Sequence, residues 1–497
     1  MIPRVATLVV ALLAAGCAVG PSYHPEQAVP PETKVGTARS NDSVAAFFDS
    51  LAAARSRDTV PAPAAAIPAR PLVPDSLAGL GWMQLFHDST LVGLVRTALL
   101  QNRDLQTAMG RIREFRAEVG VAKAPLFPEL TASGSISTNQ VAIGAFTPAA
   151  FDAWRITADL AWELDFWGKT RRGVEAARAD LGSEEAAQRA VVLSLVSDVA
   201  TSYLSLLELD QERAISERTL ASRQATLDLS RHRFAQGLTS ELDVRQFEAQ
   251  VAVPAAALAA TERLRAQQEH QLNLLMGEAP TTILRGGSLE QALSAVTVPD
   301  SLPASLLARR PDVLQAARAY AAATARIGVA QAARLPTISI TGSYGTQTSS
   351  AGGLFGSNGE IYQALAGVSV PVFTGGRLVN ESRAARARAE QARSQYEQSV
   401  LVALREASDA LVGVRTARDQ VAAQQTQTHA LRQALRLAQL RYQTGIANYL
   451  EVLEAQRSLF EAELALSQAQ LQQLSAAVEL YRALGGSWTE EANAAAH

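Results

Sequence analysis

The sequence has very little of the residues that build disulfide frameworks and metal centres. Its 497 residues include one cysteine and six histidines, and the histidines are scattered without an HExxH motif. A single cysteine excludes intramolecular disulfides and cysteine-based metal clusters. No GxSxG nucleophile elbow or other catalytic constellation occurs. We therefore expect no enzyme activity and no cofactor.

Clustered positive charge and long apolar runs are also missing. The formal net charge is −3, and the basic residues do not cluster, so nucleic-acid binding has no electrostatic support. Beyond the N-terminus there is no run of 18 apolar residues, and we expect no transmembrane helix. Any part that spans a membrane must then consist of strands.

The N-terminus has the pattern of an exported lipoprotein. An apolar run from Val5 to Gly16 is too short to span a bilayer and is typical of a secretory signal. Leu13-Ala14-Ala15-Gly16-Cys17 resembles a bacterial lipobox. Residues 1–16 are thus predicted to be a signal peptide and Cys17 the lipidated first residue. The alternative is a buried structural cysteine behind an ordinary signal. Residues 17–74 are rich in Pro, Ala and Ser and indicate a linker.

The chain repeats itself at an offset of 208 residues. Asp104–Pro128 aligns with Asp312–Pro336, with eight of 25 positions identical. The offset persists downstream, where RFAQGLTSELDV (233–244) aligns with RYQTGIANYLEV (441–452) and Gly277 with Gly485. This period is too long for a solenoid of small repeats. The sequence therefore predicts a tandem duplication and two similar halves.

Each half contains two segments that alternate between apolar and polar residues. In RITADLAWELDF, Leu160 falls on an apolar face and Thr157 on a polar face. In YQALAGVSVPVF, Ala364 through Val372 share an apolar face at every second position. Each segment has roughly the ten residues of a tilted membrane strand, although a water-soluble sheet with one buried face alternates in the same way. Four strands are fewer than the roughly eight that close a barrel, so the chain must share a barrel with other copies.

A very long helix is predicted after each strand pair, over roughly 171–233 and 378–441. Apolar residues spaced three and four apart, such as Val196, Val199 and Tyr203, indicate a coiled-coil seam. Each helix ends at a glycine, Gly237 or Gly445, which is suited to a left-handed cap. A returning helix follows, so the sequence predicts two helical hairpins with tips far from the strands.

These features resemble the TolC-type outer-membrane efflux channels, in the OprM/NodT-like lipoprotein branch of RND-type efflux systems. The resemblance extends from Cys17 to about Trp488 and rests on these motifs: CAVGPSY, GWMQLFHDSTLVGLVRTAL, NRDLQTAMGRI, LFPELTASGS, FWGKTRRGVEAARA, RRPDVLQA, VPVFTGGR and RYQTGIANYLEVLEAQRSLF. It implies an α+β membrane protein: a homotrimer with a 12-stranded β-barrel, four strands per chain, continued by a periplasmic α-helical barrel.

The resemblance divides the chain into further units. The first repeat is expected over 75–276, with strands near 128–140 and 154–166 and a hairpin tip near 237. An equatorial connection follows at 277–302. The second repeat is expected over 303–485, with strands near 336–347 and 361–373 and a tip near 445. Residues 486–497 form a C-terminal tail.

The resemblance also implies a function and a set of site residues. The chain would be the passive outer-membrane exit duct of a tripartite pump, working with a periplasmic adaptor, an RND-type inner-membrane transporter and outer-membrane lipid. It would be lipid-anchored and inserted in the outer membrane, extend into the periplasm, and bind no nucleic acid. A periplasmic gate is expected at Leu450, Glu451, Glu454, Tyr442 and Asn448, where the carboxylates would form a ring that favours cations. Adaptor contacts are expected at the hairpin tips, at Gly237, Leu242, Asp243, Gln246 and Gly445.

Two other functions remain open from the sequence. One is the outer-membrane exit duct of a type I protein secretion system. The other is a non-channel coiled-coil surface lipoprotein, which explains the long helices and Cys17 but neither the paired strands nor the duplication. Separately, the alternative to a gate ring is that Glu451 and Glu454 are surface charges that cap the start of a helix.

Overall fold

The structure is a computed structural model. It describes residues 19–21, 34–35, 88–141, 149–295, 302–303, 309–356, 359–444, 446–447 and 449–486. The predicted lipidation site Cys17 and the tip residues Gly445 and Asn448 lie outside the described residues, as do most of the predicted linker and the last residues of the chain.

Helices dominate each half, and each half contributes two strands. The first half consists of α1 (Ser89–Gln101), α2 (Arg103–Lys123), β1 (Glu129–Val141), β2 (Ala149–Leu164), α3 (Lys169–Ala235) and α4 (Glu241–Met276). After the short α5 (Leu289–Ala295), the second half consists of α6 (Pro311–Ala332), β3 (Thr337–Thr348), β4 (Glu360–Ser369), α7 (Arg377–Gln443) and α8 (Tyr449–Ala483).

The two long helices correspond residue for residue. Both α3 and α7 have 67 residues, and Arg377 begins α7 208 positions after Lys169 begins α3. Each follows a glycine in the left-handed region, Gly168 with φ 78° and Gly376 with φ 83°. Glycine adopts this conformation without the steric cost that a Cβ imposes. The same local chemistry thus starts the same helix in both halves.

The four strands form one antiparallel sheet in the order β1-β2-β3-β4. Leu130 pairs with Leu160 and Leu160 with Gly342, so these residues share one face. The opposite face carries Thr157, which is buried and hydrogen-bonded to Ser133 (2.9 Å) and Asp159 (3.1 Å). The sheet therefore has an apolar face and a polar face, as the alternation in the sequence predicts.

The strand β4 is shorter than the alternating pattern suggests. It ends at Ser369, and Val370 and Val372 lie beyond it with exposed side chains. Pro371 follows Val370 and has no backbone N–H to donate to a neighbouring strand. The shared apolar face therefore includes Ala364, Ala366 and Val368 but not the last two valines.

The main core lies where α3 crosses the other helices. Val199, Tyr203 and Leu206 of the predicted coiled-coil seam are buried there together with residues of α1, α7 and α8. The Tyr203 hydroxyl donates to Asp88, the N-cap of α1, and accepts from the backbone N–H of Gly286. This core ties the connection after α4 to the helical bundle.

The helix α3 also has an apolar stretch of membrane-spanning length. One 18-residue window has a mean hydropathy of 1.7, and 56% of it is buried inside the protein. The expectation of no such stretch considered only uninterrupted apolar runs. Composition and length alone are weak evidence for a membrane span, because the core helix of a helical bundle has the same properties.

A short N-terminal segment crosses the junction between the sheet and the helices. The Val19 N–H donates to the carbonyl of Trp167 (3.1 Å), and Arg172 donates to the carbonyl of Gly20 (3.0 Å). A Cβ on Gly20 would lie 2.4 Å from the Cα of Gly328. Only glycine therefore permits this approach to α6.

Candidate functional site

The tip of the first hairpin is closed by its own backbone. Gly237 has φ 74°, and the N–H of Leu238 donates to the carbonyl of Arg233 (2.9 Å). This bond is the long-range contact of a Schellman turn. Ser240 then caps α4, and its side chain exchanges hydrogen bonds with Asp243 in a capping box.

One oxygen of the Asp243 carboxylate accepts three hydrogen bonds within this turn. Its Oδ2 accepts from the Thr239 hydroxyl (2.7 Å), the Ser240 hydroxyl (2.8 Å) and the Ser240 N–H (3.1 Å). These hydrogen bonds, that from Thr239 foremost, lower the pKa of Asp243. The structure therefore gives Asp243 a role in fixing the turn, whereas Leu242 and Gln246 beside it are exposed.

The second tip has the same turn, but it is also contacted by the first hairpin. The Ile446 N–H donates to the Arg441 carbonyl (2.9 Å), 208 residues after the Leu238–Arg233 bond. Tyr442, just before this turn, accepts a hydrogen bond from Arg233 of the first hairpin (2.8 Å). The Arg233 guanidinium also lies 5.4 Å from the centre of the Tyr442 ring, within the range of a cation–π contact.

An aromatic row extends this contact into the first hairpin. The Tyr442 and Tyr449 rings lie 5.4 Å apart, and the Tyr449 and Phe247 rings lie 3.9 Å apart. Phe247 packs with Leu227 and Val244 in a small buried cluster of the first hairpin. The second tip is thus attached to the first hairpin by one charged hydrogen bond and a chain of ring contacts.

The two predicted gate carboxylates do not stand alone. Glu451 lies 3.2 Å from Arg441, and Glu454 lies 2.8 Å from Arg457. The hydrogen bond from Arg457 lowers the pKa of Glu454. Each carboxylate of the predicted ring is therefore paired with an arginine. Within one chain, the charges of Glu451 and Glu454 are balanced by those of Arg441 and Arg457.

A groove runs beside these carboxylates between α7 and α8. Its volume is about 590 Å³, and it is lined by Leu431, Ala434, Ala438, Leu450, Glu451, Glu454, Ala455 and Ser458. Leu450 is 62% exposed. One chain thus presents a mostly apolar groove with two acidic side chains on its wall, next to the predicted gate.

Large apolar side chains are also exposed at both tips. Leu238 and Leu242 are exposed at the first tip, and Ile446 and Leu450 at the second. Exposed apolar patches rimmed by polar groups are typical of protein interaction sites. The residues of the predicted adaptor contact therefore lie on a surface of suitable chemistry.

Several residues of the site were not found from the sequence. Arg233 and Tyr449 make the contacts that hold the second tip, and Arg441 and Arg457 pair with the carboxylates. The sequence does contain a signal for Arg233, because this residue aligns with Arg441 in the repeat. The partner of Tyr442 lies 209 residues away, and no local pattern indicates such a contact.

No arrangement suited to metal chemistry occurs in the described part of the chain, where no group of three or more His, Cys, Asp or Glu side chains is placed to hold an ion. The geometry of the site is that of a helical hairpin tip attached to a neighbouring hairpin.

Known proteins are similar to this chain in both sequence and fold. The family model described as "Outer membrane efflux protein" matches residues 94–278 and 302–486. The two matches begin 208 residues apart and end 208 residues apart, which confirms the predicted duplication.

Among relatives, the solvent efflux pump outer membrane protein SrpC of Pseudomonas putida is 36% identical over 418 residues, which are 82% of this chain and 88% of SrpC. The cation efflux system protein CusC of Escherichia coli is 32% identical over 423 residues, which are 84% of this chain and 90% of CusC. The solved structure of the outer-membrane channel OprN has a TM-score of 0.77 and 27% identity, and covers 95% of this chain and 100% of OprN. The chain belongs to the outer membrane efflux protein family.

Proposed function

We propose that this protein is the outer-membrane channel of a tripartite efflux pump and acts as a trimer. The observation that carries the proposal is the four-stranded sheet. Its outer strands β1 and β4 have no further strand partner among the described residues. Open strand edges cannot face lipid, so other copies of the chain must complete the sheet. Three copies would supply twelve strands, with the polar face of the sheet lining the lumen.

The long helices give the channel its length. At 1.5 Å per residue, a 67-residue helix extends for roughly 100 Å. Three chains would place six such helices side by side and continue the barrel as a tunnel into the periplasm. The seams of buried Val, Leu and Ala residues suit such side-by-side packing.

The second hairpin tip is proposed as the gate. Leu450 and the Glu451 and Glu454 pairs would surround the three-fold axis, and the Arg233–Tyr442 contact would hold the tip closed. The exposed Leu238, Leu242, Ile446 and Leu450 side chains would be available to an adaptor. The channel itself would be passive, with energy supplied by an inner-membrane transporter. The names of relatives such as SrpC, a solvent efflux pump protein, support an efflux role.

A lipid anchor at Cys17 would suit the same arrangement. The described residues nearest to it, Val19–Pro21, lie against the turn between β2 and α3. In the proposed trimer that turn is the level at which the barrel meets the helical tunnel. An acylated Cys17 two residues upstream would then lie close to the periplasmic surface of the outer membrane.

Reconstitution tests the proposal directly. The purified protein is expected to have the mass of a trimer in mild detergent and to conduct ions in planar bilayers. A monomeric or dimeric mass under conditions that preserve the barrel would contradict the trimer. A folded trimer without any conductance would instead favour a surface lipoprotein without a channel.

A further inference from the structure

The contact between α3 and α8 contains buried polar groups. The Gln211 side chain donates to the buried Gln470 (2.9 Å), and at the exposed edge of the contact Gln468 donates to Glu212 (3.3 Å). Elsewhere α8 contributes Leu474, Val478 and Leu480 to the apolar core. The α3–α8 contact is thus more polar at this level than the core around it.

The carboxyl group of Glu208 is the most unusual of these groups. Glu208 of α3 is 5% exposed, and Ser467 of α8 is fully buried. Ser467 lies close enough to act on the Glu208 carboxyl. The Glu208 Oε1 and the Ser467 Oγ nevertheless lack a hydrogen-bond partner of ordinary geometry among the described residues. A buried carboxylate with one oxygen left unsatisfied and a second carboxylate, Glu212, beside it is disfavoured in its charged form.

Among the described residues, no cation is one of the groups that shift the pKa of Glu208. Burial, together with the nearby Glu212 carboxylate, raises the pKa of Glu208 to about 8. The α8 sequence has no charged residue between Glu463 and Glu479. On α4, Arg265 lies against Asp210 (2.6 Å), which also holds Arg285 (2.7 Å). Both of these guanidinium groups are therefore paired with Asp210.

The buried carboxyl is specific to this pair of helices. At the offset of 208 residues, Glu208 corresponds to Thr416, which is exposed on α7. The counterpart of Ser467 is the exposed Ala259 of α4. The duplication alone therefore does not account for a buried carboxyl group beside a buried serine at this contact.

We infer that Glu208 and Ser467 form a proton-dependent contact that holds α8 against α3. Burial and the Glu212 carboxylate favour neutral Glu208 and outweigh the Ser467 hydrogen bond, which favours the charged form. Ionisation of Glu208 therefore places a charge beside Glu212 between the helices and loosens α8. This inference rests on the proposed function in one respect, since it treats α8 as part of the gated hairpin. Alkaline conditions would thus favour release of the second tip.

The direction of the pH effect follows from linkage. The ordinary pKa of the carboxyl is 4.5, and in the folded protein it is raised to about 8. Its stabilising contribution is complete below pH 4.5 and is lost as the pH rises through about 8. If the carboxyl regains its ordinary pKa when α8 separates, opening of the contact increases by at most roughly 100-fold between pH 6 and pH 9.

Hydrogen exchange in the intact trimer measures this opening without relying on conductance. Exchange of α8 peptides covering residues 463–474, corrected for intrinsic rates, is expected to rise with pH in the native protein. Glu208→Gln keeps the shape of the side chain but cannot ionise, so its corrected exchange is expected to stay level. Glu217→Gln is the matched control, because Glu217 lies exposed on the same helix and should leave the pH dependence intact.

Infrared spectroscopy supplies a second test if Glu208→Gln fails to fold. A band from a protonated carboxyl is expected in the native protein at pH 7 and should vanish near pH 9. Absence of this band, or equal pH dependence of exchange in native protein and Glu208→Gln, would overturn the inference. Either result leaves the trimer and its conductance, and hence the proposed function, untouched.

Discussion

Removing one hydroxyl group at the second tip should make the channel open more often. Tyr442→Phe deletes the acceptor of the Arg233 hydrogen bond (2.8 Å). The ring itself remains, and with it the contacts to Tyr449 and to the guanidinium. The substitution therefore isolates the charged hydrogen bond between the two hairpins.

The size of the effect follows from the geometry. A hydrogen bond to a charged group contributes about 1.5–3 kcal/mol, and the partial exposure of both residues reduces this to about 1–2 kcal/mol. Such a loss shifts the ratio of closed to open states by roughly 5- to 30-fold per chain. Three chains around one axis would add their contributions.

Single-channel recording in planar bilayers provides the assay, with open probability as the measured quantity. Tyr449→Phe is the matched control, because the Tyr449 hydroxyl makes no hydrogen bond to a described residue while its ring packs on Phe247. Open probability should rise for Tyr442→Phe and stay near the native value for Tyr449→Phe. An unchanged Tyr442→Phe channel, or equal effects of both substitutions, would refute the reasoning.

Three further predictions concern the gate, the barrel and the anchor. Glu451→Gln with Glu454→Gln leaves Arg441 and Arg457 unpaired, so the reversal potential in a salt gradient should move towards anion preference; an unchanged potential would place the selectivity elsewhere. Leu160→Arg turns a charge towards lipid and should reduce trimer yield at a cost of roughly 2–4 kcal/mol near the midplane, whereas Ala161→Arg, on the opposite face, should assemble; equal yields would mean that the strand is wrongly phased. Cys17→Ala should abolish labelling with radioactive fatty acid while the barrel still assembles, and persistent labelling would contradict the lipidation site.

The sequence predicts the regular parts of the fold well, because periodicity reports directly on burial. Alternating residues in β2 indicate its two faces, and the seam around Val199 indicates the core side of α3. Thr157 shows where this reasoning stops. Its face is predicted, but its burial between Ser133 and Asp159 depends on the pairing of β1 with β2. It is therefore a poor site for a harmless substitution, unlike the exposed Ala161 used in the test above.

Contacts between the halves are the part that the sequence does not reveal. The resemblance to known channels indicates Tyr442 by its position beside a turn, but not its partner Arg233 in the other hairpin. The pairing of Glu454 with Arg457 is predictable from the sequence, since the two residues lie three positions apart on one helix. The position of Glu208 against Ser467 is not predictable from the sequence, because it depends on how α3 and α8 pack.

Divergence between the two repeats explains why one tip would be fixed and the other releasable. Asp243 and Glu451 occupy equivalent positions, 208 residues apart. Asp243 is short and closes its turn with Thr239 and Ser240 through local hydrogen bonds. Glu451 instead reaches across its turn to Arg441 at 3.2 Å, in an exposed pair of the kind that contributes little. The second tip therefore depends on its contacts with the first hairpin, and a partner that displaces Arg233 from Tyr442 would release it without unfolding either hairpin.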